Sequence, residues 1–444
     1  MLKSDKTLGI IFFPAFDWAI SPTHPEREER LLYTQDQLRE EGLFDMEGIA
    51  EYKPLVADIE DVERVHFCFP ETQSVITRSH LVSAGGAIRA AQLVMEGERD
   101  RSFAIVRPPG HHAMKVVHGS RGFCNINIEA MMIEWIREHY GPKRVAIVDT
   151  DCHHGDGTQD VYWHDPDTLF ISLHQDGRTL YPGTGFPQDM GGPSALGRTL
   201  NIPLPPNTSD EGYLMAVERI VLPILEDFKP DIVINSAGQD NHYSDPITNM
   251  NVSAQGYAQL NHLIQPDIAV LEGGYAIQGA LPYLNLGICL AMADADFSHV
   301  REPDYDPRKW KQDGRTTAYI EQLCDVLPQL YFNPPPFDGS EKSGQGVITG
   351  DRFIRHKDIY YDTDGISEAQ TENLYLCDHC RGLLSYETRS SNNPLCLGVE
   401  IGQNACPSCR EKGYKLMEEA QIKGKYRYVQ LINRLDKEYV RYGF

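Results

Sequence analysis

No run of apolar residues in this chain approaches the roughly 18 that a membrane span requires, which argues against a helical membrane protein. The first apolar stretch, in MLKSDKTLGIIFF, is short and no small-residue cleavage site follows it. It reads as a first strand rather than a secretory signal, and a soluble cytoplasmic protein is expected. Positive charge is scarce: 41 Lys and Arg stand against 64 Asp and Glu, a formal net charge of -23. A phosphate backbone would be repelled, so nucleic acid is not expected as a partner, whereas a cationic substrate would be favoured. Internal repeats and low-complexity tracts are also lacking. Hydrophobic residues reach 41%, too many for a disordered chain, and 444 residues suit one large α/β domain plus an appendage.

Short β-branched runs alternate with helical patterns over the first two thirds. TLGIIFF, FAIVR (103–107), RVAIVDTD (144–151), TLFISLHQ (168–175), DIVINSAG (231–238) and DIAVLEGG (267–274) read as strands, most of them apolar throughout. Residues 79–96, 127–139, 210–227, 253–264 and 277–293 read as helices. Repeated βα units predict a parallel sheet covered on both faces, with the active site beyond the carboxyl ends of its strands. The expected organisation is a catalytic domain over 1–295, a helical extension over 296–332, a linker over 333–371, a cysteine-bearing segment over 372–410 and a basic helical tail over 411–444.

Chemistry concentrates at four strand ends. In VDTDCHHGDGTQD, Asp149, Asp151 and His153 sit at alternate positions and face the same way. Unpaired carboxylates there would be costly, and a bound divalent metal removes that cost. Asp151 and His153 supply two ligands of the three that a catalytic zinc site wants. The strand DIVINSAG ends in QDNHYSDP, which offers Asp240, His242 or Asp245 as a third. FAIVR runs into PPGHHA, where His111 and His112 are placed to carry protons beside a metal-bound water. After AVLEGG, Tyr275 is placed to donate to a developing oxyanion.

Five of the ten cysteines crowd between Cys377 and Cys409. Cys377-x-x-Cys380 and Cys406-x-x-Cys409 form two knuckles suited to a closed, structural zinc site, with Cys396 outside it. Metal binding would supply much of the folding energy of so small a segment.

RPPGHHA, GFCNIN (122–127), DTDCHHGDGTQ, ISLHQDG, YPGTG (181–185), SAGQDNHYSDP and LEGGY follow one another in the chain, after HPEREERL (24–31). In these motifs and their order the chain resembles the zinc-dependent histone deacetylase superfamily, which also holds acetoin-utilisation proteins and acetylpolyamine amidohydrolases. The resemblance spans roughly residues 5–295. It implies an arginase-like three-layer α/β/α fold around a parallel sheet, and zinc-dependent removal of acetyl or other acyl groups from lysine. By the resemblance, the zinc ligands are Asp151, His153 and Asp245, while Asp149 and Asp156 hydrogen-bond His111 and His112. It further implies that His112 is the base, that His111 acts electrostatically and that Tyr275 stabilises the oxyanion. Phe123 and Tyr181 become channel walls, and the Gly122 carbonyl an acceptor for the substrate amide. A potassium ion behind the zinc is implied at Asp149, Asp151, His153, Ser172 and Leu173.

Gln239 departs from the family pattern, which has an apolar or aromatic residue there. The acidic rim residue that many members use to grip a peptide has no clear counterpart, CFPETQS (68–74) lying in roughly that region. The substrate is therefore an acyl-lysine peptide or protein or, as a rival, an acetylated polyamine or other small amine. The loop PAFDWAISPTHPE is short, which favours the bulkier substrates. Self-association is left open. A two-metal ureohydrolase on the same fold is disfavoured, because the His-His loop and Tyr275 play no part in that scheme. A non-enzymatic binding protein would be expected to lack a ligand or the tyrosine.

Overall fold

The computed structural model describes residues 3–337, 339 and 346–443. In chain order the first ten strands are β1 (Lys3–Phe13), β2 (Glu47–Tyr52), β3 (Phe67–Cys68), β4 (Arg101–Val106), β5 (Val116–Val117), β6 (Val145–Asp149), β7 (Thr168–Gln175), β8 (Thr199–Leu204), β9 (Ile232–Ser236) and β10 (Ile268–Val270). Eight of them form one sheet in the order β2-β1-β4-β10-β9-β6-β7-β8, and every neighbouring pair is parallel. β3 and β5 pair separately. The inner strands are buried along their length, as continuous apolar runs covered on both faces must be. Both edge strands escape the sequence reading. β2 has mixed burial along EGIAEY, and β8 carries Pro203, which an edge tolerates because fewer ladder donors are needed there.

The helices close the two faces. Arg78–Met95 begins with a capping box between Thr77 and His80, and Ile128–Tyr140 with Asn127, whose side chain accepts from the Ala130 N–H. Residues 210–228 form one helical stretch with a π turn at Val217–Val221. The expected extension contains helix Gly314–Phe332, which buries Ile320, Leu323, Leu327 and Tyr331 in the same core as Tyr213 and Val217. It therefore belongs to the packing of the parallel-sheet unit. Among the described residues no helix is long and apolar enough to cross a membrane.

The rest of the chain corrects the sequence reading. Residues 338 and 340–345 of the expected linker lie outside the described residues. From Val347, however, the chain is strand: β11 (Val347–Thr349), β12 (Arg352–Tyr361) and β13 (Ile366–Tyr375). β12 and β13 read as linker because their exposed positions are polar. β14 (Leu383–Ser390), β15 (Cys396–Ile401), β16 (Tyr428–Asn433) and β17 (Glu438–Gly443) complete a seven-stranded sheet in sequence order. It is antiparallel except for β15 and β16, a parallel pair joined across helix Pro407–Lys423. The expected helical tail is thus helix only to Lys423, and its aromatic and β-branched end is strand.

The second sheet packs on the loop between β4 and the next helix. Phe67, Phe69 and Val116 share a core with Phe353, Leu384, Tyr386 and Ile432. Lys115 makes a buried ion pair with Glu400 at 2.8 Å. The Tyr361 hydroxyl donates to the Val116 carbonyl at 2.9 Å, and His118 Nε2 lies 2.9 Å from Thr388 Oγ1.

Candidate metal centre and active site

The loops that leave β4, β6, β7, β9 and β10 at their carboxyl ends converge on one cavity of about 290 Å³. His111, His112, His153 and Tyr275 line it together with Gly122, Phe123 and Tyr181. Asp362, from the turn between β12 and β13, lines it as well.

Asp151, His153 and Asp240 each present a ligand atom within 4.8 Å of the others, and all three are buried. His153 Nδ1 lies 2.9 Å from Asp240 and 3.2 Å from Asp151. The expected third ligand, Asp245, stands beside this cluster, where Asp240 and His153 act on its buried carboxyl. Its carboxylate accepts from the N–H groups of Ile247 (3.0 Å) and Tyr275 (2.8 Å), as that of Asp151 accepts from His153 and Gly273, and lone pairs remain for a metal. Burial alone would lower the His153 pKa, but Asp240 and Asp151 hold it up at about 10. The pocket between these carboxylates therefore calls for a cation. Backbone at Gly273 runs so close that a Cβ there would collide with Asp240 and Asp151 oxygens, which leaves the space to the ligand atoms. Two carboxylates and one imidazole fit a divalent metal such as zinc.

The two histidines are held differently. His111 Nδ1 lies 3.1 Å from Asp149 Oδ2, and His112 Nδ1 lies 2.8 Å from Asp156 Oδ1. Burial works against charge on both rings. At His111 the nearby Asp151 and Asp149 overcome it and raise the pKa well above the usual value. At His112 burial wins, assisted by the neighbouring charge of His111, and the pKa falls to about 4. Arg121 overrides burial at Asp156 and keeps that carboxylate ionised, through an ion pair of 2.6 Å. Gly122 packs against the His112 ring so tightly that any side chain would strike it, and its φ of +53° suits glycine.

Several supporting groups have no role in the sequence reading. Glu272 accepts from the N–H groups of Gly110 (2.7 Å) and His111 (3.0 Å), fixing the His-His loop. Arg30 donates to the carbonyls of Gly274 and Glu272 and pairs with Glu26, which also pairs with Arg107. The HPEREERL motif thus braces the loops that bear His111 and Tyr275. Gln239 points away from the cavity and donates to Asn285 at 2.7 Å, so it does not reshape the pocket floor. Ser172 pairs in register with Asp149, its hydroxyl 2.9 Å from His174 Nδ1, and the Leu173 carbonyl accepts from Tyr213.

Cys377, Cys380, Cys406 and Cys409 gather their sulfurs within 4.8 Å of one another. The N–H groups of His379 and Gly382 each approach a knuckle sulfur at 3.4 Å. The His379 N–H holds the Cys377 thiol down at about 6, which suits a thiolate ligand. Cys396 lies apart, 3.2 Å from the Pro394 carbonyl.

A parallel sheet with a buried Asp-His-Asp cluster at its carboxyl edge defines a metal-dependent hydrolase of the arginase and deacetylase fold class. The histone deacetylase domain matches residues 68–283. A probable deacetylase of Archaeoglobus fulgidus is 48% identical over 350 residues, covering 72% of this chain and 96% of the relative. The acetoin utilization protein AcuC of Bacillus subtilis is 30% identical over 385 residues, covering 76% and 95%. The crystal structure of the HDA15 HD domain aligns with a TM-score of 0.62 at 25% identity, covering 74% of this chain and 95% of that one. The chain belongs to the histone deacetylase family.

Proposed function

We propose that this amidohydrolase removes acetyl or other acyl groups from the ε-amine of lysine in a peptide or protein. The carrying observation is that the Asp151–His153–Asp240 cluster, the His111–His112 pair and Tyr275 meet at one cavity. A divalent ion held by Asp151, His153 and Asp245, with Asp240 beside His153, would supply Lewis acidity, polarising the acyl carbonyl and acidifying water. Phe123 and Tyr181 flank the acyl-lysine stem. His112, neutral and with Nδ1 tied to Asp156, takes the proton of the attacking water at Nε2 and returns it to the leaving amine. His111, held by Asp149, acts electrostatically on the developing charge. The Tyr275 hydroxyl donates to the oxyanion. The Gly122 carbonyl accepts the substrate amide.

This reading includes a structural zinc at the four cysteines and a potassium ion near Asp149, Ser172 and Leu173. The net charge of -23 and Asp362 at the cavity favour a second reading, an acylated polyamine substrate. A panel of acetyl-lysine peptides, longer acyl-lysines and acetylpolyamines, assayed with and without chelator, tests both. Chelator-sensitive peptide turnover is expected. Turnover of polyamines alone would replace the first reading with the second.

A further inference from the structure

A chain of hydrogen bonds runs around the cavity from His112 to Gly122, and one of its members comes from the second sheet. His112 Nδ1 meets Asp156 Oδ1 at 2.8 Å. The other Asp156 oxygen is held by Arg121 Nη1 at 2.6 Å. The same nitrogen donates to the Tyr181 hydroxyl at 3.1 Å. That hydroxyl donates to Asp362 Oδ1 at 2.9 Å. The same Asp362 oxygen accepts from the Gly122 N–H at 3.0 Å. Gly122 in turn packs on the His112 ring.

Asp362 is exposed, yet its position is well determined. It follows Tyr361, which is tied to the Val116 carbonyl. Two residues on, Asp364 accepts from the Ser120 N–H at 2.6 Å. The turn between β12 and β13 is therefore seated on residues 116–122. Phe123 has φ +72°, a conformation that a bulky side chain keeps only when its surroundings impose it. The Gly122 N–H immediately before it has Asp362 as its acceptor. Without that carboxylate, the donors of Gly122 and Tyr181 lose the oxygen they share.

We propose that Asp362 is a positioning residue for hydrolysis: its carboxylate fixes Tyr181 and the Gly122–Phe123 turn, and through Tyr181 and Arg121 the Asp156–His112 pair. The second sheet then completes the active site instead of merely flanking it. This rests on the hydrolase reading above. The contribution is one of shape: an acceptor oxygen at this point suffices, so an amide should replace the carboxylate.

The test uses the full-length, metal-loaded protein with Asp362→Ala, Asp362→Asn, Tyr181→Phe and the Ala/Phe double variant. Metal content and melting temperature are measured for each. D362A is expected to lower kcat about 10- to 100-fold, the scale of a misplaced catalytic group, with KM changing far less. D362N is expected to retain most of kcat. The double variant should cost little more than the worse single one, because both break the same link. Backbone amide exchange at Gly122 should accelerate in D362A and not in D362N. An unchanged kcat in D362A, equal damage from D362N, additive losses, or unchanged exchange at Gly122 would each overturn the proposal. If D362A fails to fold, D362N, Tyr181→Phe and their combination decide it by the same criteria. If the wild-type protein hydrolyses no acyl-lysine substrate, the functional reading fails, while the exchange measurement still reports whether the clamp exists.

Discussion

The two sheets of this chain treat buried charge in opposite ways. At the carboxyl edge of the parallel sheet, Asp149, Asp151, Asp240 and Glu272 are drawn together with few cations to answer them. At the seam with the second sheet, charges are paired off. Lys115 meets Glu400, Arg434 meets Glu134 and Glu400, and Arg355 and Lys357 share Glu372 and Asp160. The first arrangement leaves capacity for a metal and for proton transfer. The second leaves none and holds two units in one relation. A reactive edge stays ordered here because a neutralised seam stands behind its loops.

The largest effect that tests this contrast is at the metal cluster. Asp245→Ala should release the catalytic metal and lower turnover by more than about 1,000-fold, since such an ion supplies several kcal/mol. Metal analysis of Asp240→Ala beside it tests which carboxylate holds the ion, and retention of metal in Asp245→Ala would overturn that assignment. Tyr275→Phe should retain metal and lose about 100- to 1,000-fold in kcat, the usual value of one oxyanion donor. Full activity there would remove the tyrosine from the mechanism.

The seam should respond in stability rather than chemistry. Cys380→Ser should lower the metal content of the intact protein by one ion per chain and loosen the second sheet, as amide exchange in β13 and β14 would report. Lys115→Met breaks a buried pair and should cost about 3 kcal/mol in denaturant unfolding.

The last effect concerns pH. His66 Nδ1 lies 2.8 Å from the Met114 carbonyl, and its Nε2 accepts from the Asn127 N–H at 2.9 Å, so the folded ring must be neutral. Burial pushes its pKa from 6.5 down to about 3. The unfolded chain thus binds the proton first. Stability is full above pH 6.5 and is lost as pH falls toward 3, by up to about 1.4 kcal/mol per pH unit from this group. Replacing His66 with Gln should flatten that limb of the stability profile.

Much of the reactive edge was legible because its residues are close in sequence or at strand ends. Alternation placed Asp149, Asp151 and His153 together, and the apolar runs marked the strands that carry them. The reading failed where geometry has no local signature. Asp240 and Asp245 are five positions apart in one polar loop, and spacing did not announce that Asp240 would meet His153. The second sheet was missed over 347–375 because half-exposed strands look like polar linker. The Asp364-Gly365 pair between β12 and β13 was a hairpin signal in plain view.

Local periodicity and motif order determined the parallel sheet, the His-His pair, the tyrosine and the cysteine knuckles, since each depends on neighbours within a few residues. Tertiary structure alone decided the meeting of Asp240 with His153, the pairing of Lys115 with Glu400 and the arrival of Asp362 beside Gly122 and Tyr181. Those contacts join residues between 87 and 285 positions apart. Nothing in the local sequence records such contacts, because their energy exists only once two separately formed surfaces have met.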